Sequence, residues 1–190
     1  MRHLLVICFA VVALWCSHPP ALADPALWSA LKSGRHVGLM RHALAPGIGD
    51  PENFDLTDCA TQRNLSEVGR QQARQTGDYF RQNGIAAAQV YASQWCRCQE
   101  TARLLALGEV ADLPVANSFF QQRDRREIQT AALRAWIGEQ PLTDATLVVT
   151  HQVNIAALTG QSTGSGDMLV VRRQEDGSLE VVGRLTFPVP

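Results

Sequence analysis

A chain of 190 residues that is 46% hydrophobic, with 17 basic and 18 acidic side chains and a formal charge of −1, has enough apolar material for one well-cored domain. Its near-neutral balance leaves no electrostatic footprint for nucleic acid or an anionic membrane surface, so neither is expected as a partner. Any basic residue that matters must then act locally.

The first stretch reads as a targeting segment. Arg2 and His3 lead an apolar run from Leu4 to Trp15, and Ala21-Leu22-Ala23 has the small-residue pattern of a cleavage site. The run is roughly a dozen residues, short of the ~20 that span a bilayer. Residues 1–23 are therefore expected to be a signal peptide and residues 24–190 a single domain, periplasmic or secreted, with no stable membrane insertion after removal of the segment. An oxidising compartment favours one disulfide among Cys59, Cys96 and Cys98, leaving one thiol, with Cys59 paired to either of the others. Cys96-Arg97-Cys98 also raises a metal-binding alternative, but its spacing departs from the paired Cys-x2-Cys of structural zinc sites, and no metal is expected.

Asp24-Pro25 opens a short helix that ends near Gly34, and residues 35–40 form a buried strand. From Ala43 to Arg63 there is no periodicity, and Pro46, Gly47, Gly49, Asp50 and Pro51 mark a loop of a length that is usually functional. A helix capped by Ser66 runs to Asn83-Gly84, with Ala73, Gly77 and Phe80 as its buried stripe. Further elements are a strand over Gln89 to Ala92, a helix over Arg97 to Leu107 ended by Gly108, and a helix over Glu127 to Glu139. The β-branched run Thr146 to Thr150 is a buried strand, followed by a helix from Val153 to Leu158. Strands over Met168 to Arg173 and Leu179 to Phe187 pair through the turn Glu175-Asp176-Gly177-Ser178. The order predicts an α/β three-layer sandwich: a mostly parallel central sheet, helices on both faces and a carboxyl-terminal hairpin.

Ligands in such sheets bind beyond the carboxyl ends of strands, and Arg41-His42, Arg97 and His151 all follow predicted strands directly or within a few residues. Arginine forks recognise phosphate oxygens, and histidine acts as nucleophile or acid and base near neutral pH. Arg97 and Thr101 share a helical face, with Ser93 in the turn before. An arginine at a helix amino terminus opposes the macrodipole, which suggests an anion beside Arg97; the plain alternative is a solvated arginine with no partner. The amides of Gln152 and Asn154 either hold a phosphoryl oxygen or cap the following helix.

In that order, LMRHA at 39–43, NLSEVGRQQA at 64–73, YASQWCRCQETA at 91–102 and VVTHQVNI at 148–155 resemble the successive motifs of the histidine phosphatase superfamily. The resemblance spans about 37 to 187, is to the phosphoglycerate mutase-like branch, and Ala43 stands where glycine is usual. It implies that His42 is the nucleophile, forming a phosphohistidine, and that Arg41, Arg97 and His151 cradle the phosphoryl group. It implies a metal-independent phosphomonoester hydrolase with no cofactor and a small phosphorylated substrate. The exported subgroup it most resembles acts on cell-envelope phosphosugars, including lipopolysaccharide core heptose phosphate. The family's proton donor has no obvious counterpart: Asp124, Glu127 and Asp167 are the candidates, and Gln152 stands where some members carry an acid. A non-catalytic phosphate-binding module of the same fold and a phosphomutase are the alternative readings.

Overall fold

The structure, a computed structural model, describes residues 24–190; the expected signal peptide lies outside the described residues. Eleven helices and strands follow one another as α1 (Pro25–Lys32), β1 (His36–Arg41), α2 (Glu67–Gln82), β2 (Gln89–Ala92), α3 (Cys96–Leu105), β3 (Val110–Asp112), α4 (Arg126–Glu139), β4 (Thr146–Thr150), α5 (Gln152–Thr159), β5 (Met168–Arg173) and β6 (Leu179–Leu185). The helix starts obey their local chemistry. The Asp24 carboxylate accepts from the Ala26 amide ahead of Pro25, and Ser66 accepts from Gly69 at the start of α2.

The six strands form one sheet in the order β3-β2-β4-β1-β5-β6. Strands β1 to β4 are mutually parallel, and the β5–β6 hairpin is added antiparallel at β1. Strand alternation divides the core in two. Met40, Val90, Leu147, Val149 and Val170 face α1, α2 and α3, while Val37, Leu39, Val148 and Leu169 face α4 and α5. This is the expected three-layer α/β sandwich, with helices on both faces. Among the described residues no helix is long and apolar enough to cross a membrane.

Three local differences from the sequence reading have physical causes. The strand β3 over Val110–Asp112 was not expected; it is a short, largely exposed edge strand, too brief to show an alternation. Helix α3 stops at Leu105, and Ala106 rather than Gly108 takes the left-handed conformation. The Arg81 guanidinium caps the freed Leu105 carbonyl, and the turn lets the Leu107 carbonyl accept from the Ala88 amide. The last strand ends at Leu185, and Phe187 folds over the core against Trp28 and Phe80.

The topology places the chemistry. Because β2, β4 and β1 are adjacent and parallel, the residues that follow them emerge on one edge. His42, Ser93 and His151 are those residues. The His42 amide still donates to the Thr150 carbonyl at 3.0 Å, so the ring is carried on the end of the ladder rather than on a free loop.

Candidate active site

Arg41, His42, Arg97 and His151 line one cavity of about 170 Å3, joined by Asp50, Arg63, Ser118, Phe120 and Gln152. His42 and His151 lie with ring centroids 5.6 Å apart and are almost fully buried.

The hydrogen bonds assign the tautomers. His42 Nδ1 lies 2.8 Å from the Ala43 carbonyl, which can only accept, so Nδ1 carries the proton and Nε2 keeps the lone pair. His151 is the opposite case. Its Nδ1 faces Arg97 Nη2 at 3.5 Å, a group that can only donate, and its Nε2 lies 2.8 Å from Ser93 Oγ. Ser93 passes its own proton to Asn117 Oδ1 at 3.2 Å, so the chain is satisfied with His151 protonated on Nε2 alone. Burial, and then the Arg97 charge, hold the proton affinity of both rings well below the usual histidine range. Both rings are therefore neutral near pH 7.

Each arginine is placed by its surroundings. Arg41 Nη1 donates to the Thr163 carbonyl at 2.9 Å, and Thr163 is itself held by Gln152 Oε1, which accepts from the Thr163 amide and hydroxyl. Arg97 stands one residue into α3, and Thr101 Oγ1, one turn on, bridges its carbonyl to the Ala43 amide. The expected anion beside Arg97 exists, and it belongs to the protein. Asp50, its side chain only 4% exposed, accepts from Arg97 Nη1 at 2.6 Å and Nη2 at 3.1 Å. Trp95 Nε1 at 3.0 Å and the Arg63 amide at 3.2 Å complete its shell. Despite its burial, these donors hold the carboxyl below the usual aspartate range. Arg63 spans the same loop, donating from Nε to the Gly49 carbonyl at 2.7 Å and from Nη1 to that of Ala45.

Against this intramolecular pairing, the Nε groups of Arg41 and Arg97 are buried with no hydrogen-bond partner. Buried guanidinium protons are costly to leave unpaired, and here both belong to side chains that line one pocket. The arrangement suits a tetrahedral oxyanion.

The three expected proton-donor candidates do not reach the pocket. Asp124 and Glu127 are exposed, because the 117–127 segment presents Ser118 and Phe120 to the cavity and turns its acids to solvent. Asp167 lies beneath the neighbouring turn, where its carboxylate accepts from the Gly164 amide at 3.0 Å and meets Arg184 at 3.7 Å. Asn154 is likewise committed, donating to the Ala116 and Asn117 carbonyls. Cys59 pairs with Cys96, and Cys98 is a buried thiol whose burial pushes its pKa up to about 12. With Cys96 in a disulfide, the Cys-x-Cys pair is not a thiolate pair. Asp50 and Arg63 were missed in the sequence, where the only signal was the loop that carries them.

One strand edge of the α/β sandwich thus gathers two neutral histidines and the guanidinium groups of Arg41, Arg63 and Arg97. The family model for the histidine phosphatase superfamily (branch 1) matches residues 39–119. The matched stretch carries Arg41, His42 and Arg97, so over this part the chain is similar to that family. Among curated proteins it is 36% identical over 74 residues to the mitochondrial serine/threonine-protein phosphatase Pgam5 of Drosophila grimshawi. That match covers 39% of this chain and 23% of the relative, so the chain spans under a quarter of its curated relatives' length. Similar solved structures include the protein histidine phosphatase SixA complexed with tungstate, at TM-score 0.55 and 18% identity over 80% of this chain and 96% of that one. A mycobacterial glucosyl-3-phosphoglycerate phosphatase in complex with VO3 gives TM-score 0.59 and 15% identity, covering 78% and 98%.

Proposed function

We propose that the protein is a phosphatase that hydrolyses phosphomonoesters through a phosphohistidine on His42. The observation that carries this reading is the pairing of a lone pair on His42 Nε2, left free by the Ala43 contact, with the guanidinium groups of Arg41 and Arg97, which line the same cavity and keep a buried, unpartnered Nε each. An unprotonated imidazole is a nucleophile near neutral pH without a separate base. Three guanidiniums against one carboxylate, with both imidazoles neutral, leave an excess positive charge for a phosphomonoester dianion. Preorganised donors of this kind stabilise the charge that spreads over the equatorial oxygens during transfer. No metal is required by this scheme. Two structural neighbours are complexes with tungstate and with VO3, oxyanions of the kind this reading calls for.

His42→Ala is expected to abolish hydrolysis of a generic aryl phosphate and to abolish capture of acid-labile phosphate on the protein. Unchanged turnover by that variant would sink the proposal. A phosphate-binding module without turnover is the alternative favoured by one observation, that the expected acids Asp124, Glu127 and Asp167 all lie outside the pocket. That alternative expects vanadate to stabilise the fold while no ester in a broad panel is hydrolysed. A phosphomutase is the weaker alternative.

Export and an envelope phosphosugar substrate belong to the same proposal. They rest on the leader-like residues 1–23, on a disulfide suited to an oxidising compartment, and on resemblance to the exported subgroup. Fold alone does not choose a substrate. A screen of purified protein against envelope-derived phosphosugars tests this part, and localisation of the expressed chain tests export.

A further inference from the structure

We propose that Asp50 is the proton donor to the leaving oxygen, and the base for the water that follows. This rests on the phosphatase reading above. Asp50 is the one carboxylate among the described residues lining the cavity. It sits in the loop after β1, away from all three positions that the sequence suggested for an acid.

The geometry lets Asp50 and a phosphoryl group occupy the site together. Asp50 takes the two terminal nitrogens of Arg97, at 2.6 and 3.1 Å, while Arg97 Nε and Arg41 Nε remain without partners. Both Nε groups are closed to solvent in the resting site, and a phosphoryl group that reaches them through a shift of the two arginine side chains need not displace the carboxylate. The two anions then share one guanidinium, with Asp50 lining the same cavity as His42. Sharing also changes the carboxyl. In the resting site Arg97, Trp95 and the Arg63 amide favour its charged form. A second anion on the same guanidinium weakens that support and repels the negative charge, so the carboxyl takes a proton from solvent or from the monoanionic ester. The acid is thus armed by the substrate.

In the first half-reaction the His42 Nε2 lone pair attacks phosphorus, the P–N bond forms and the P–O ester bond breaks. The departing oxygen keeps the bonding pair and receives the Asp50 proton, giving the alcohol and the Asp50 carboxylate. In the second, the carboxylate takes a proton from water as the water oxygen attacks phosphorus. The P–N bond breaks, its electron pair returns to Nε2, and phosphate leaves a neutral His42 and a protonated Asp50.

The test compares wild type with Asp50→Asn on 4-nitrophenyl, phenyl and benzyl phosphate, similar in shape but increasingly poor in leaving group, with vanadate inhibition as a check on the cradle. Wild type should depend weakly on the leaving group. Asp50→Asn should lose about 10²–10⁴-fold in kcat/KM on benzyl phosphate and less than about tenfold on 4-nitrophenyl phosphate, the range expected for a lost general acid. Its vanadate inhibition should stay close to wild type. Equal losses on all three esters, or vanadate binding that weakens in step with turnover, would make Asp50 a positioning residue for Arg97 and overturn the inference alone. Wild type that hydrolyses only the nitrophenyl ester would likewise overturn the inference alone, because no acid then assists the poorer leaving groups. Wild type that binds vanadate and hydrolyses none of the three overturns the phosphatase reading together with the inference.

Discussion

The form that would make His42 a nucleophile, a neutral ring with a free Nε2 lone pair, is set by a carbonyl one residue away and by the burial of its ring. The Ala43 contact at 2.8 Å selects the tautomer, while burial and Arg97 keep a second proton off. The consequence for activity is that kcat/KM should not fall near pH 6.5, where a free histidine protonates, but only at distinctly more acidic pH. A pH–rate profile of the wild type checks this, and an acidic limb centred at 6.5 would contradict it. The consequence for stability has a definite sign. Both His42 and His151 have depressed proton affinity when folded, so below about pH 6.5 the unfolded chain binds protons that the folded chain does not. Each should then cost up to about 1.4 kcal/mol of stability per pH unit below that value, and nothing above it. Urea midpoints between pH 6.5 and 5.5 should show the decline, and His42→Asn should make it shallower. Of these residues, Arg41, His42, Arg97 and His151 were legible because each stands in or near a run of apolar strand residues. Asp50 was not. Its signal is a contact with Arg97 across 47 positions, and a Gly-Asp-Pro loop reads equally well as an ordinary turn.

At the scale of elements, α2 and α3 explain why two glycines sit in a helix interior at a cost in propensity. A Cβ on Gly69 would collide with the Leu44 carbonyl, and one on Gly77 with the Leu105 carbonyl. Close approach of α2 to the turn after β1 and to α3 therefore depends on them. Gly77→Ala should lose about 1–3 kcal/mol by overpacking. Gly138→Ala in α4, where a Cβ meets nothing within 4 Å, should gain up to about 1 kcal/mol, with chemical denaturation of both variants as the measurement. The long elements were legible because they carry strong local signals. Ser66 caps α2, and the continuous apolar runs of β1 and β4 mark strands buried on both faces. Strand β3 and the early stop of α3 were not. Both depend on partners distant in sequence: β3 on Val90 to Ala92, and the end of α3 on Arg81 and Ala88.

On the scale of the whole molecule, the loop from Ala43 to Arg63 is held against α3 by several distant ties. Gln62 Oε1 accepts from the Cys96 amide at 3.0 Å, Asp50 meets Arg97 and Trp95, and the Cys59–Cys96 disulfide closes a separation of 37 residues. In the chain-entropy model a loop of that length is worth about 4 kcal/mol, with about 2–5 kcal/mol usual for a native bridge. Cys59→Ser should lower stability by such an amount and loosen the loop that brings Arg63 to the cavity, read as a lower urea midpoint together with weaker vanadate inhibition. Thiol titration of the denatured, leader-free protein should find one free thiol, Cys98; three would refute the bridge. Strand periodicity and strand-end position are local properties, so the sandwich, the edge where the strand-end residues gather and Arg41, His42, Arg97 and His151 could be read from the residues alone. The partner of Cys59, the histidine nitrogen that carries the proton, and Asp50 as the pocket carboxylate in place of Asp124, Glu127 or Asp167 come from the folded arrangement alone. Those outcomes are contacts between segments far apart in the chain, chosen by packing and by the need to pair buried charge, and no local pattern encodes them.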